Sequence, residues 1–169
     1  MKRLRFLTMI AVFTALFASC EEPKEGTDTP TGGGNSGTEI DYTKFQCLQN
    51  LMGHSDWVES VAYSPDGTKI ISGSDDKTVK IWDANTGECL KTLEGHSNYV
   101  NSVAYSPDGS KIISGSNDDT VKIWDANTGQ CLKTLEGHLD NVRSVAFSPD
   151  GTKIISGSDD KTVKIWGEE

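Results

Sequence analysis

The sequence predicts an all-β protein built from three copies of one four-stranded unit. Three observations carry this. Gly53-His54, Gly95-His96 and Gly137-His138 recur at a spacing of 42 residues. A repeat of that period marks a solenoid, a propeller or an array. Each unit holds short runs of alternating apolar and polar residues, the period of a half-buried strand. Helical periodicity is absent outside the first twenty residues.

In the first unit the strands are expected at Val58–Tyr63, Lys69–Ser74, Thr78–Trp82 and Glu88–Leu93. Three turns separate them. "SPDG" at 64–67 has Pro second and Gly fourth, as a type I turn prefers. "DDK" at 75–77 is a short acidic turn, and "ANTG" at 84–87 ends in a Gly suited to a left-handed conformation.

The chain divides into three parts. Residues 1–19 read as an export signal, with Lys2, Arg3 and Arg5 ahead of an apolar stretch and small residues. "LFASC" resembles the lipobox of bacterial lipoproteins, with Phe17 where Leu is usual. The resemblance implies that Cys20 is lipidated. Glu21 and Glu22 are similar to the acidic signal that sends Bacteroidetes lipoproteins to the cell surface. The implied location is the cell envelope: an outer-membrane lipid anchor, and a surface-exposed domain. A plain signal peptide or a retained anchor helix remain alternatives. Residues 20–40, rich in Gly, Thr, Pro and acids, read as a flexible tether. Residues 41–169 hold the repeats, at about 53–94, 95–136 and 137–166.

Charge narrows the partners. The chain carries −9. Without Lys2, Arg3 and Arg5, thirteen basic residues face 25 acidic ones, a net −12. Such a protein repels phosphate backbones, which argues against nucleic acid. Membrane contact is expected only through the lipid. Cys47, Cys89 and Cys131 stand 42 apart and are expected to be buried small apolar residues rather than disulfide partners.

A Gly-His pair, "SPDG", then "SGSDDKTVKIWD", once per 42 residues, looks like the WD-repeat family of β-propellers. The likeness covers about Phe45 to Trp166. Two departures stand out: Trp166 is followed by Gly167 instead of Asp, and there are only three units, where family rings usually hold seven. The expected fold is therefore three four-stranded antiparallel blades forming part of a propeller.

The resemblance implies a hydrogen-bonded tetrad in each blade: His54, Ser72, Asp76 and Trp82; His96, Ser114, Asp118 and Trp124; His138, Ser156, Asp160 and Trp166. Ser, His and Asp together invite a hydrolase reading. A set repeated three times in one register reads as structural, because a catalytic set is needed once. Each unit offers one His and no nearby Cys, so zinc is not expected, nor any other cofactor.

Function should lie where the copies differ. The first two units differ at seven positions, five of them in the loop after Gly-His, at the start of the next strand or in the acidic turn. The resemblance places these on one face of the ring. The implied contact residues are Trp57, Glu59 and Asp75; Tyr99, Asn101 and Asn117; Asn141, Arg143 and Asp159. Trp, Tyr and Arg are the types that dominate binding hot spots; neutral drift on exposed loops is the plainer explanation. The leading expectation is a non-enzymatic scaffold that binds a protein or peptide. The alternatives are a glycan-binding or hydrolytic propeller, and a truncated remnant of a longer protein.

"FQCLQNLMGH", from Phe45, aligns with "ECLKTLEGH" and "QCLKTLEGH". Residues 45–52 are thus expected to be an outermost strand, and the third unit to lack its own. Family rings close by pairing two such ends. The resulting expectation is a homodimer of six blades, with each chain completing the other's last blade; a different propeller fragment is the rival partner.

Overall fold

The computed structural model describes residues 40–168. The signal, Cys20 and the tether up to residue 39 lie outside the described residues. The chain separates into two units, Met1–Lys44 and Phe45–Glu169. In the first, the described part is a single 3-10 turn at Tyr42–Lys44, where Lys44 pairs with Asp41 at 3.1 Å.

The second unit is all β. Its first sheet runs in the order β1 (Val58–Tyr63), β2 (Lys69–Ser74), β3 (Val79–Asp83) and β4 (Cys89–Leu93). Its second repeats this with β5 (Val100–Tyr105), β6 (Lys111–Ser116), β7 (Val121–Asp125) and β8 (Cys131–Leu135). The third has three strands, β9 (Val142–Phe147), β10 (Ile154–Ser158) and β11 (Val163–Trp166). Every pairing is antiparallel. The third blade thus has no outer strand of its own among the described residues, as the sequence leads one to expect.

Short turns force this up-and-down order. Gly67 N–H donates to the Ser64 carbonyl at 2.8 Å, and the "SPDG" turn brings β1 back beside β2. Asp66 braces it, accepting from Ser64 Oγ at 2.6 Å and from Thr68 N at 3.0 Å. These donors, the Ser64 hydroxyl foremost, hold the Asp66 carboxyl down to about 2. At the acidic turn Lys77, Asp119 and Lys161 each take a left-handed φ, of 71°, 66° and 70°.

Stacking of the sheets makes the core. Ile71, Val79 and Ile81 of the first blade meet Val100 and Val103 of the second, all at most 6% exposed. Ile113 and Val121 meet Val142 and Val145 at the next junction. Each such side chain contributes roughly 1.5–3 kcal/mol on burial. Glycines let the sheets approach. A Cβ added to Gly73 would lie 2.7 Å from Val100 Cγ1, and one on Gly115 2.7 Å from Val142 Cγ1.

One expectation is corrected. Cys47, Cys89 and Cys131 are exposed, not buried. They sit on the outermost strand or its equivalent, which is exposed at Cys89–Thr92 and Cys131–Lys133 and becomes covered only toward its C-terminal end, at Leu93 and, in part, at Thr134 and Leu135. Within the single chain residues 45–52 form no strand; the pairing expected of them is with the last blade of a second copy. A strand needs a neighbour to take its backbone hydrogen bonds, and within one chain Gln49 meets the first blade through its side chain, at the Thr86 carbonyl.

Candidate interaction face and its supporting framework

Each blade carries one buried polar chain. In the second, Trp124 Nε1 donates to Ser114 Oγ at 2.8 Å, Ser114 Oγ lies 2.7 Å from His96 Nε2, and His96 Nδ1 lies 2.7 Å from Asp118 Oδ2. The first blade has 2.8, 2.6 and 2.7 Å for Trp82, Ser72, His54 and Asp76. The third has 2.8, 2.7 and 2.7 Å for Trp166, Ser156, His138 and Asp160. A neutral imidazole with its proton on Nδ1 gives every polar hydrogen in the chain an acceptor. The hydroxyl accepts from indole and donates to Nε2, and Nδ1–H donates to carboxylate.

The strand register explains the geometry. Ser72 and Trp82 lie on neighbouring strands, β2 and β3, ten residues apart, and the acidic turn between them presents Asp76 to the loop carrying His54. Burial drives the three Asp carboxyls up, but their donors outweigh it. Thr78 and His54 at Asp76, His96 and Thr120 at Asp118, and Thr162 and His138 at Asp160 hold all three well below the usual carboxylate range.

Two residue sets of this framework escaped the sequence reading. Thr78, Thr120 and Thr162 give both N–H and Oγ1–H to the Asp Oδ1. Ser74, Ser116 and Ser158 accept the N–H of the same Asp and donate to the carbonyls of Asp56, Asn98 and Asp140. The signal was present: Ser-Gly-Ser, the Asp and the Thr are identical in all three copies.

The variable residues gather on this framework. Asp75 N–H donates to the Trp57 carbonyl at 2.9 Å, Asn117 N–H to Tyr99 at 2.9 Å, and Asp159 N–H to Asn141 at 3.0 Å. Each pair of loops is thereby tied together. Glu59, Asn101 and Arg143 are the extra residues of β-bulges: Val58 pairs with Ser74 and Ser60 with Gly73, leaving Glu59 unopposed. The same slip leaves Asn101 and Arg143 unopposed. A bulge re-aims its side chain out of the strand alternation. Alternation alone gives no sign of it.

The nine residues do not behave alike. Trp57 and Tyr99 are 69% and 41% exposed. Arg143 is engaged, with Nη2 2.6 Å and Nε 2.8 Å from Asp159 Oδ2 and Nη1 3.1 Å from Asn117 Oδ1. Asn101 Nδ2 reaches Asn117 Oδ1 at 2.7 Å and the Val142 carbonyl at 2.8 Å. Asn141 Nδ2 donates to Asp159 at 3.2 Å. The Arg143–Asn117 and Asn101–Val142 bonds therefore join the second blade to the third. In the first blade Asp75 is pushed up by burial and by the charges of Glu59, Asp56 and Asp76.

The comparisons agree with this architecture. The family model for the WD domain, G-beta repeat, matches residues 45–83, 87–125 and 129–167. Vegetative incompatibility protein HET-E-1 of Podospora anserina is 58% identical over 41 residues, 24% of this chain and 3% of that protein. Nuclear distribution protein nudF of Aspergillus flavus is 38% identical over 55 residues, 32% of this chain and 12% of that protein. A ribosome biogenesis protein BOP1 homolog of Drosophila ananassae is 51% identical over 49 residues, 28% of this chain and 6% of that protein. The chain thus spans a small part of the curated relatives it matches. Among solved structures, U3-55K superposes with a TM-score of 0.67 at 32% identity, over 69% of this chain and 38% of that one. The RRP9 WD40 repeats give 0.67 and 32%, over 69% and 37%. With three repeat matches across most of the chain, and blades that superpose on solved repeats of the same kind, this chain belongs to the WD40 repeat family.

Proposed function

We propose that this chain is a non-enzymatic scaffold whose loop face binds a protein or peptide. The observation that carries the reading is the pair Trp57 and Tyr99. Two large aromatic side chains stand exposed at the same place on adjoining blades, over loops fixed by backbone hydrogen bonds. Such side chains contribute contact area at low entropic cost. The tetrads support the loops and take no part in chemistry. The domain is held at the envelope by lipid on Cys20, on the outer membrane and facing outward. A second copy of the chain completes the ring.

The test compares wild type with Trp57→Ala/Tyr99→Ala. Pull-down from envelope extract should retain a protein partner with the first and lose it with the second, while both melt at the same temperature. Unchanged retention places the site elsewhere. Retention of glycans on an array, with no protein partner, overturns the reading in favour of a carbohydrate-binding propeller.

A further inference from the structure

Two sheet faces of the described residues are uncovered, and they match each other. On the first blade Val58 and Val61 are 50% and 67% exposed, whereas Val100 and Val103, at the same places on the second, are 0% and 6%. On the third blade Ile155, Val163 and Ile165 are 44%, 74% and 71% exposed, whereas Ile71, Val79 and Ile81 of the first are 0%, 0% and 1%. The exposed residues are the same types, in the same register, as those that meet inside the chain.

The chain shows twice how such faces join. At one junction a Cβ on Gly73 would lie 2.7 Å from Val100 Cγ1 and 3.0 Å from Val103 Cγ1. At the other, one on Gly115 would lie 2.7 Å from Val142 Cγ1 and 2.9 Å from Val145 Cγ1. Val103 N–H donates to Ser60 Oγ at 3.1 Å, and Val145 N–H to Ser102 Oγ at 3.2 Å. The third blade carries both features again. A Cβ on Gly157 would meet nothing within 4 Å, and Ser144 is exposed.

The outer edge repeats the pattern. Gln49 Nε2 donates to the Thr86 carbonyl at 2.6 Å, and a Cβ on Gly87 would strike the Gln49 amide. At Gly129, 42 residues on, the neighbours are Leu93 and Lys91 of β4. The Cys47 thiol reaches the Gln49 carbonyl at 3.5 Å, as that of Cys89 reaches Lys91 at 3.5 Å. The segment around Gln49 therefore runs beside the first blade where β4 runs beside the second.

We infer that a second copy of this chain covers both faces head to tail, so that two chains close a ring of six blades through a defined strand register. The inference deepens the scaffold reading above and rests on its second copy. The β7–β8 pairing supplies the register: Val121 opposes Leu135, Lys122 opposes Thr134, Ile123 opposes Lys133 and Trp124 opposes Cys131. Across the two copies Val163 opposes Leu51, Lys164 opposes Asn50, Ile165 opposes Gln49 and Trp166 opposes Cys47. Val58 and Val61 of one copy enter the cradle at Gly157 of the other, and Val61 N–H donates to Ser144 Oγ. Lys122 Nζ donates to Thr134 Oγ1 at 2.8 Å, and Lys164 finds the Asn50 side chain in the same way. The contact is heterologous but closes on itself, so no edge is left open.

The test uses the full chain in mild detergent, as two differently tagged copies with Cys47, Cys89 and Cys131 changed to Ser. One copy carries Asn50→Cys and the other Lys164→Cys. Opposed residues of an antiparallel pair lie about 4.5–5.5 Å apart, within disulfide reach. Mild oxidation should link the two tags. Asn50→Cys with Thr162→Cys, two places out of register, should link at least about tenfold less. Separately, Gly157→Val has room in the single chain and should keep its strand circular dichroism while weakening association at least about tenfold in sedimentation. A folded monomer at micromolar concentration overturns both the second copy and the register. A two-chain particle that neither links in register nor responds to Gly157→Val overturns the register alone. An in-register link in filaments or larger rings overturns the closed pair. The Trp57→Ala/Tyr99→Ala variant should remain a pair, which separates failure of the partner face from failure of assembly.

Discussion

The indole N–H of Trp124 donates to Ser114 Oγ at 2.8 Å, and both residues are at most 1% exposed. One hydroxyl therefore serves the indole and His96 together. Ser114→Ala strands the Trp124 N–H and the His96 Nε2, and a stranded buried group costs about 1–3 kcal/mol. The variant should melt several degrees lower by calorimetry. Trp166 is only half-buried, so water can reach it, and Ser156→Ala should cost less than Ser114→Ala.

His96→Ala tests whether the tetrad is structural. It should lower the melting temperature and leave partner affinity of the folded fraction unchanged. Titration calorimetry showing lost affinity without a change in melting would give the histidine a functional role.

Gly115 sits under Val142 and Val145 with no room for a methyl group. Gly115→Ala should cost about 1–3 kcal/mol by overpacking the second junction. Denaturant unfolding measures it, and a midpoint equal to wild type would mean that the blades part easily there.

Acid should destabilise the fold in a defined window. Asp76, Asp118 and Asp160 are held below their ordinary value of 3.8. The unfolded chain takes up protons there that the folded chain refuses. Their contribution is fully present above that value and lost as pH falls through the folded one. Melting temperature should drop steeply below about pH 4, and less steeply in Asp118→Asn.

Asp75 has the opposite sign, raised by burial first and then by Glu59, Asp56 and Asp76. Its charge opposes folding at neutral pH. The second blade already holds Asn117 at that place. Asp75→Asn should raise stability by about half a kcal/mol at pH 7, and the gain should fade on acidification. Chemical denaturation at pH 7 and pH 4 reads both.

By itself the sequence determined the repeat, the strands and the order in which they pair. These are local: alternation sets each strand within one or two residues, and Pro, Gly and Asp set each turn. Which residues form the tetrads was implied by the resemblance to the WD-repeat family, and the three copies hold those residues in one register. The tertiary structure alone decided the rest. The bulge that turns out Glu59, Asn101 and Arg143 depends on how β1, β5 and β9 pair with their neighbours, which alternation does not encode. Exposure of Cys89 and Cys131 follows from their place at the start of the outer strands, which the neighbouring blades leave uncovered, whereas composition suggested burial. The same residue types are buried or bare according to whether another sheet stands beside them. Val100 is covered and Val58 is not, although both begin equivalent strands. Burial is a property of the neighbour as much as of the residue, and neighbours exist only once the blades have stacked.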